Sequence, residues 1–241
     1  MPRANRTSCS GQVWHITHRC HQKEFLLKFV RDRRRWRHWL FEATRRYGLS
    51  VLNYIATSNH VHVLVADQGS EEIASSMQLA AGRTAQDYNR RKNRKGAFWE
   101  DRYHATAVQT DHHLVQCLTY IDLNMVRAGA VRHPSDWDVC GYHEIQHPRH
   151  RQPIIDHDTL YRLIGVSSGS QLRCAHSAWI DEAIETSKRD PAWTESVGVG
   201  DRNFLTRLKS QLGVRGYHRE IKSGDDVTFL GETKIPYKLP F

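Results

Sequence analysis

The stretch that most limits the possible folds is Asn59-His60-Val61-His62-Val63-Leu64-Val65. Side chains along a strand alternate between its two faces. Val61, Val63 and Val65 therefore share one face, which can bury, while His60 and His62 share the other. Neutral imidazole is a common ligand for divalent metals, so a neighbouring pair is half of a site. His-x-His alone fits an incidental pair on a half-buried strand equally well, and a second stretch must complete the site. Tyr120-Ile121-Asp122-Leu123-Asn124 is the candidate. It falls in an expected helix with Leu114, Leu118 and Ile121 as a docking stripe. Tyr120 and Asn124, four apart, stack on a different face.

The periodicity around these stretches predicts a regular order of elements. Gly11–Arg19 alternates as a strand. Residues 24–29 are either a paired strand or the approach to a helix. From about Arg31 to Tyr47 the spacing is helical, with Trp36, Trp39, Leu40, Ala43 and Tyr47 on one stripe and Gly48 as the stop. Leu49–Ala56 forms a hairpin with the histidine strand across Thr57-Ser58-Asn59. Ser70 opens a helix with Glu71 and Glu72 in its first turn, where the dipole favours acids. Phe98–Gln109 reads as a strand, and Asp111 caps the helix of Tyr120, which runs to about Gly129. Strand, helix, strand, strand, helix, strand, helix is a ferredoxin-like or RRM-like α+β pattern: an antiparallel sheet with helices on one face and the other face open. Gln146–Pro153 looks like a linker. Beyond it, residues 160–164, 172–184 and 203–212 have helical spacing, and the chain from Gly224 onward reads as extended. The expected organisation is thus one domain over residues 1–145, a linker over 146–153 and a small, mainly helical region with an extended tail over 154–241. Residues 1–10 read as a mobile basic arm.

The formal net charge is +9, and it is unevenly placed. Residues 1–150 carry 22 Lys and Arg against 14 Asp and Glu; the rest carries 13 against 12. The first part is therefore the polyanion-binding part, with nucleic acid ahead of a membrane as partner. Arg33, Arg34, Arg35 and Arg37 crowd the first helix, and Arg90, Arg91, Lys92, Arg94 and Lys95 end the second. With Arg102 they are the candidate phosphate contacts, and Trp99 and Tyr103 the candidate stacking faces for unpaired bases, although Trp99 suits a core position at least as well. Asp122 reads as a surface acid, His104 as a strand histidine with a structural hydrogen bond, and His112 and His113 as capping or surface residues. The five cysteines are far apart, with no Cys-x-x-Cys. Their odd number, with no signal-like N-terminus and no apolar run long enough to span a bilayer, suggests a cytoplasmic protein.

Taken together, Asn59-His60-Val61-His62 and Tyr120-Ile121-Asp122-Leu123-Asn124-Met125-Val126-Arg127-Ala128-Gly129 resemble the REP-associated tyrosine transposases. These are the single-tyrosine branch of the HUH nucleases and are similar to small insertion-sequence transposases that move single-stranded DNA. Phe98–Tyr103 and Arg33–Trp36 resemble further blocks of that family, and the resemblance covers about residues 11–140. The family usually has Met-Pro where Thr57-Ser58 stand, and proline where Met125 stands. The resemblance implies an HUH nuclease fold and a DNA nicking and joining enzyme. Tyr120 would be the nucleophile, and His60, His62 and Asn124 the ligands of Mg2+ or Mn2+. It further implies a 5′-phosphotyrosine intermediate, and REP-type hairpin DNA with single-stranded flanks as the substrate of a monomer or homodimer. The alternative is a non-catalytic, domesticated DNA- or RNA-binding protein on the same fold. A replication initiator or relaxase of the wider HUH group is less well matched, because those often carry a third histidine or a second tyrosine and the sequence shows no His-rich triad.

Overall fold

The computed structural model describes residues 11–186, 188–224 and 226–233. The expected arm at residues 1–10 and the tail beyond 233 lie outside them. In chain order the N-terminal part contains β1 (Val13–Arg19), α1 (Val30–Tyr47), β2 (Ser50–Ala56), β3 (His60–Ala66), α2 (Glu72–Lys92), β4 (His104–Val108) and α3 (His112–Asp122). Then follow α4 (Asn124–Arg127), α5 (Tyr142–Gln146), α6 (His157–Ile164), α7 (Gly169–Ala183), α8 (Ala192–Glu195), β5 (Gly198–Val199), α9 (Arg202–Gln211), β6 (Arg219–Ser223) and β7 (Thr228–Glu232).

Among the described residues the strands form one seven-stranded sheet, in the order β2-β3-β1-β4-β5-β7-β6. All neighbours are antiparallel except β4 and β5. The first four strands and three helices follow the expected α+β order. β5, β7 and β6 extend the same sheet from the C-terminal third.

Register decides which side chains share a face. Thr17 pairs with His62 and His104, His15 with Leu64 and Thr106, and Ile55 with His62, so these residues project together. Trp14, Ile16, Tyr54, Val61, Val63 and Val65 project the other way. The second set is the apolar core face. Trp36 of α1 meets Tyr54 there at 6.3 Å between ring centres, and α2 packs beside α1. Val61, Val63 and Val65 are fully buried, as their alternation requires. α1 stops at Gly48, whose φ of 70° a β-carbon would resist, with its N–H on Thr44 O.

The histidine face is not open. α3 crosses it, with Asn53 Nδ2 donating to Leu118 O at 3.3 Å. The sequence pattern shows that a helix is amphipathic but not which face of a sheet receives it, so placing the helices on one face needs this correction. Three boundaries also differ. α2 begins at Glu72 rather than Ser70, because the Glu72 carboxylate accepts from Gln68 N, Ser70 N and Ser70 Oγ and holds the preceding turn. The strand expected from Phe98 starts only at His104. The helix of Tyr120 breaks at Leu123 (φ −79°, ψ 4°), so Asn124 opens the separate turn α4.

Residues 139–156 cover the outer edge of β2, through Ala56 N to Val139 O, Gly141 N to Tyr54 O and Asp156 N to Val51 O. The buried Glu144 carboxylate accepts from Ile154 N, Ile155 N and the Tyr54 hydroxyl, so its charge is spent on three donors. Among the described residues no helix is long and apolar enough to cross a membrane.

Candidate active site

The turn before β3 fixes the first histidine. Asn59 Nδ2 donates to Lys23 O at 3.1 Å, which orients its amide and leaves Oδ1 as the acceptor facing His60 Nδ1 at 2.7 Å. Thr57 Oγ1 donates to His60 O and lies 3.0 Å from the same ring nitrogen. His60 Nδ1 therefore carries the proton, and Nε2 presents its lone pair. Thr57 stands where the family resemblance places methionine, and here it braces the histidine.

The second histidine is fixed from further away. His15, on β1, turns Nδ1 to Trp193 O at 2.8 Å and Nε2 to His62 Nδ1 at 2.8 Å. A carbonyl can only accept, so His15 Nδ1 donates. Its neutral ring then accepts at Nε2 from His62 Nδ1, and His62 Nε2 is left with a lone pair. That lone pair faces Asn124 Nδ2 at 3.0 Å, and the Asn124 side chain also hydrogen-bonds His60. The His60 and His62 rings lie 4.8 Å apart, nearly perpendicular. Burial first, and neighbouring positive groups second, hold His60 at about 4 and His62 well below the usual imidazole value. Burial takes His15 to about 3, against the opposing hydrogen bond to Trp193. All three rings are neutral near pH 7, the form that binds a metal.

Tyr120, at 6% exposure, stands over this cluster. Its ring centre is 6.2 Å from His62 and 6.0 Å from His15, and Trp193 of α8 lies 6.0 Å away. The Arg127 guanidinium is 4.2 Å from the centre of the Tyr120 ring and donates to Tyr120 O. Burial raises the phenol above its ordinary value, while the charges of Arg127 and Arg189 oppose that rise. The residues at hand fit a divalent cation: two oriented imidazole lone pairs converge on one amide, and a half-turn of that amide would present Oδ1 instead of Nδ2. A second set of ligand atoms, on Asp111, His112 and His113, lies within 4.8 Å of one another at the start of α3, where Asp111 also caps the helix by accepting from His113 N.

Sequence reasoning missed two features here. His15 is the third histidine, but it lies 47 residues from His62 and only strand register reveals the contact. Asp122 is not a surface acid: it is fully buried, with Oδ2 2.8 Å from His176 Nε2 of α7. Helical spacing gave Asp122 a face but could not show what α7 would bring to it. His104 does make a structural hydrogen bond, to Ser196 O at 2.7 Å. Trp99 is half-buried, stacked on His18 and donating to Ala81 O.

The basic residues gather on the opposite face of the sheet. A groove of about 510 Å³ between α1 and α2 is lined by Arg31, Arg34, Arg35, Arg90 and Arg91, with Asp32 and Asp87. Arg35 pairs with Asp87 and Arg91 with Asp32, while Arg34 reaches Asp138 only at 3.5 Å. Lys92 and Lys95 are exposed, Arg94 bonds Asn89 and Ala97 O, and Arg102 is exposed beside the β4 approach. Arg37 is half-buried against Tyr54. Arg33 must be withdrawn from the phosphate contacts. It is buried, donates to Leu27 O and Lys28 O, and lies 4.2 Å over the Trp137 ring.

In this mixed α+β fold a mostly antiparallel sheet presents the histidine pair to Tyr120 of α3. Residues 8–124 match the family model described as "Transposase IS200 like". That match spans 117 of the 241 residues, so through its N-terminal part the chain is similar to the IS200-like transposases. Among solved structures it is similar to a REP-associated tyrosine transposase bound to a REP hairpin, with a TM-score of 0.50 and 19% identity over 64% of this chain and 90% of that one. At that identity the likeness shows a shared fold. A putative transposase from Deinococcus radiodurans R1 aligns at a TM-score of 0.36 and 15% identity, over 50% of this chain and 95% of that one. Comparison with curated proteins gave no match.

Proposed function

We propose that the chain is a metal-dependent endonuclease and strand transferase for single-stranded DNA, acting on hairpin-bearing, REP-type DNA through Tyr120. The observation that carries this reading is the convergence of the His60 and His62 lone pairs on Asn124, with the Tyr120 ring 6.2 Å from His62. His60, His62 and Asn124 would hold Mg2+ or Mn2+. A bound ion would neutralise and polarise the oxygens of the scissile phosphate.

The chain's own groups supply the rest. Asn59, Thr57 and His15 keep both imidazoles in the ligating tautomer. Arg127, against the Tyr120 ring, favours the phenolate that attack on phosphorus requires. The Tyr120 oxygen forms the new P–O bond as the phenolic proton leaves to solvent, the bond to the 3′ oxygen breaks, and that oxygen takes up a proton from solvent. The product is a 5′-phosphotyrosine and a free 3′-hydroxyl. The linkage keeps the phosphodiester's energy, so strands can be rejoined without ATP.

The test is covalent attachment of labelled hairpin DNA with single-stranded flanks. Tyr120→Phe should abolish attachment while binding persists; equal attachment by the variant overturns the assignment. One observation favours a second reading, a DNA- or RNA-binding protein that does not cleave. Tyr120 is held under Trp193 with a hydrogen bond to Thr194, which shields the phenol. Metal-independent binding with no cleavage of any flanked hairpin is the result that reading predicts.

A further inference from the structure

The groove and the histidine cluster lie on opposite faces of the sheet, and one loop borders both. Residues 20–29 leave β1 beside the turn that holds His60: Cys20 N donates to Asn59 O at 2.7 Å and Leu27 N to Ser58 O at 2.9 Å. Asn59, which accepts from His60, also donates to this loop at Lys23 O. At its far end Phe29 opens α1, receiving Asp32 N and Arg33 N on its carbonyl. The loop is therefore tied to the candidate site at one end and to the wall of the groove at the other.

Leu26 and Leu27 anchor the loop in the core, but Phe25 is 65% and Phe29 57% exposed. This chain buries Trp36 and Tyr54 completely, so two phenylalanines of one loop left in water ask for a ligand. Their surroundings name its chemistry. Lys23 and Lys28 lie in the same loop and are exposed, as is Lys92, whose Nζ stands 5.6 Å from the centre of the Phe29 ring, while the exposed Glu24 beside Phe25 is matched by Arg94 at 3.7 Å. The adjoining groove offers five arginines against two aspartates. Bare aromatic faces among cations suit unpaired nucleotides, whose bases stack while their phosphates meet lysine and arginine. A duplex hides its base faces and cannot use such rings.

We infer that Phe25 and Phe29 form a stacking platform for the unpaired nucleotides that flank the DNA hairpin, placed between the His60 turn and the arginine groove. The identity of the ligand rests on the function proposed above; the platform rests on the exposed rings and the charge around them.

The experiment is equilibrium binding of the full chain, at fixed salt, to two fluorescent DNAs: a fully paired hairpin, and the same hairpin with a short unpaired flank. The double variant Phe25→Leu/Phe29→Leu keeps apolar bulk and removes the aromatic faces. It should weaken binding of the flanked hairpin about tenfold or more and leave the paired hairpin within about twofold. Phe25→Trp/Phe29→Trp should restore flank binding. Because phosphate contacts are untouched, the salt dependence of the paired hairpin should not change. Unchanged affinity of the leucine variant for the flanked hairpin overturns the platform, as does an equal loss on both DNAs. Self-association of the wild type that the leucine variant loses would also overturn it, assigning the patch to a second copy instead. The two accounts separate cleanly. Flank-specific loss without any Tyr120 adduct sinks the chemistry and keeps the platform, and an adduct with no flank-specific loss does the reverse.

Discussion

Replacing His15 by phenylalanine tests how the metal-binding tautomer is set. The ring fills the same fully buried space, so packing changes little, but both polar contacts go. Trp193 O loses its donor, and an unpaired buried carbonyl costs about 1–3 kcal/mol. His62 Nδ1 keeps only Thr17 Oγ1, at the longer distance of 3.2 Å. It can then rotate or change tautomer and turn its lone pair away from Asn124. Removing a partner that orients a metal-ligating histidine lowers affinity about 10- to 100-fold. The expected result is therefore a urea-unfolding free energy lower by about 1–3 kcal/mol, together with Mn2+ binding weaker by about 10- to 100-fold in calorimetric titration. Thr17→Val, which removes only the longer contact, should cost less on both measures. If His15→Phe binds Mn2+ within twofold of the wild type while His62→Ala abolishes binding, His15 does not orient His62 and the reasoning fails.

Three further outcomes are expected. His176→Leu leaves the buried Asp122 carboxylate without its partner and should destabilise the chain by about 3–5 kcal/mol in urea melts; a loss below about 1 kcal/mol would show that Asp122 finds another donor or becomes protonated at little cost. His15 and His60 titrate near 3 and 4 in the native state, with His62 also well depressed, so the unfolded chain takes up protons first as pH falls below its ordinary imidazole value of about 6.5. Stability should be flat above that value and fall by about 1.4 kcal/mol per pH unit per histidine on the way down to about pH 4, and a flat profile over that window would contradict the burial of the cluster. Arg34→Ala with Arg90→Ala should lower DNA affinity and flatten its salt dependence by about 0.7–0.9 per lost phosphate contact, whereas Arg33→Ala should lower stability and leave that slope unchanged.

What the sequence made legible follows from periodicity. His60 and His62 share a face because strands repeat every two residues, and the valines between them bury as alternation demands. The order of the first four strands and three helices is likewise written in hydrophobic spacing. Partners distant along the chain are not. His15 meets His62 only through the β1–β3 register, and the acceptor that fixes its tautomer is a backbone carbonyl of α8, which no residue type announces. Asp122 looked solvated because a helix repeat cannot show that α7 delivers His176. Arg33 looked like its neighbours in an arginine run, yet the helical turn points it at Trp137 and two loop carbonyls. The break at Leu123 leaves Asn124 within reach of both imidazoles, although it no longer belongs to the helix of Tyr120.

The account stands most directly on where a cation sits. Crystals soaked in Mn2+ and measured for anomalous scattering should show a peak between His60 Nε2, His62 Nε2 and the Asn124 side chain, beneath the Tyr120 ring. A peak only at Asp111, His112 and His113, or none near the histidine pair at saturating Mn2+, would contradict it.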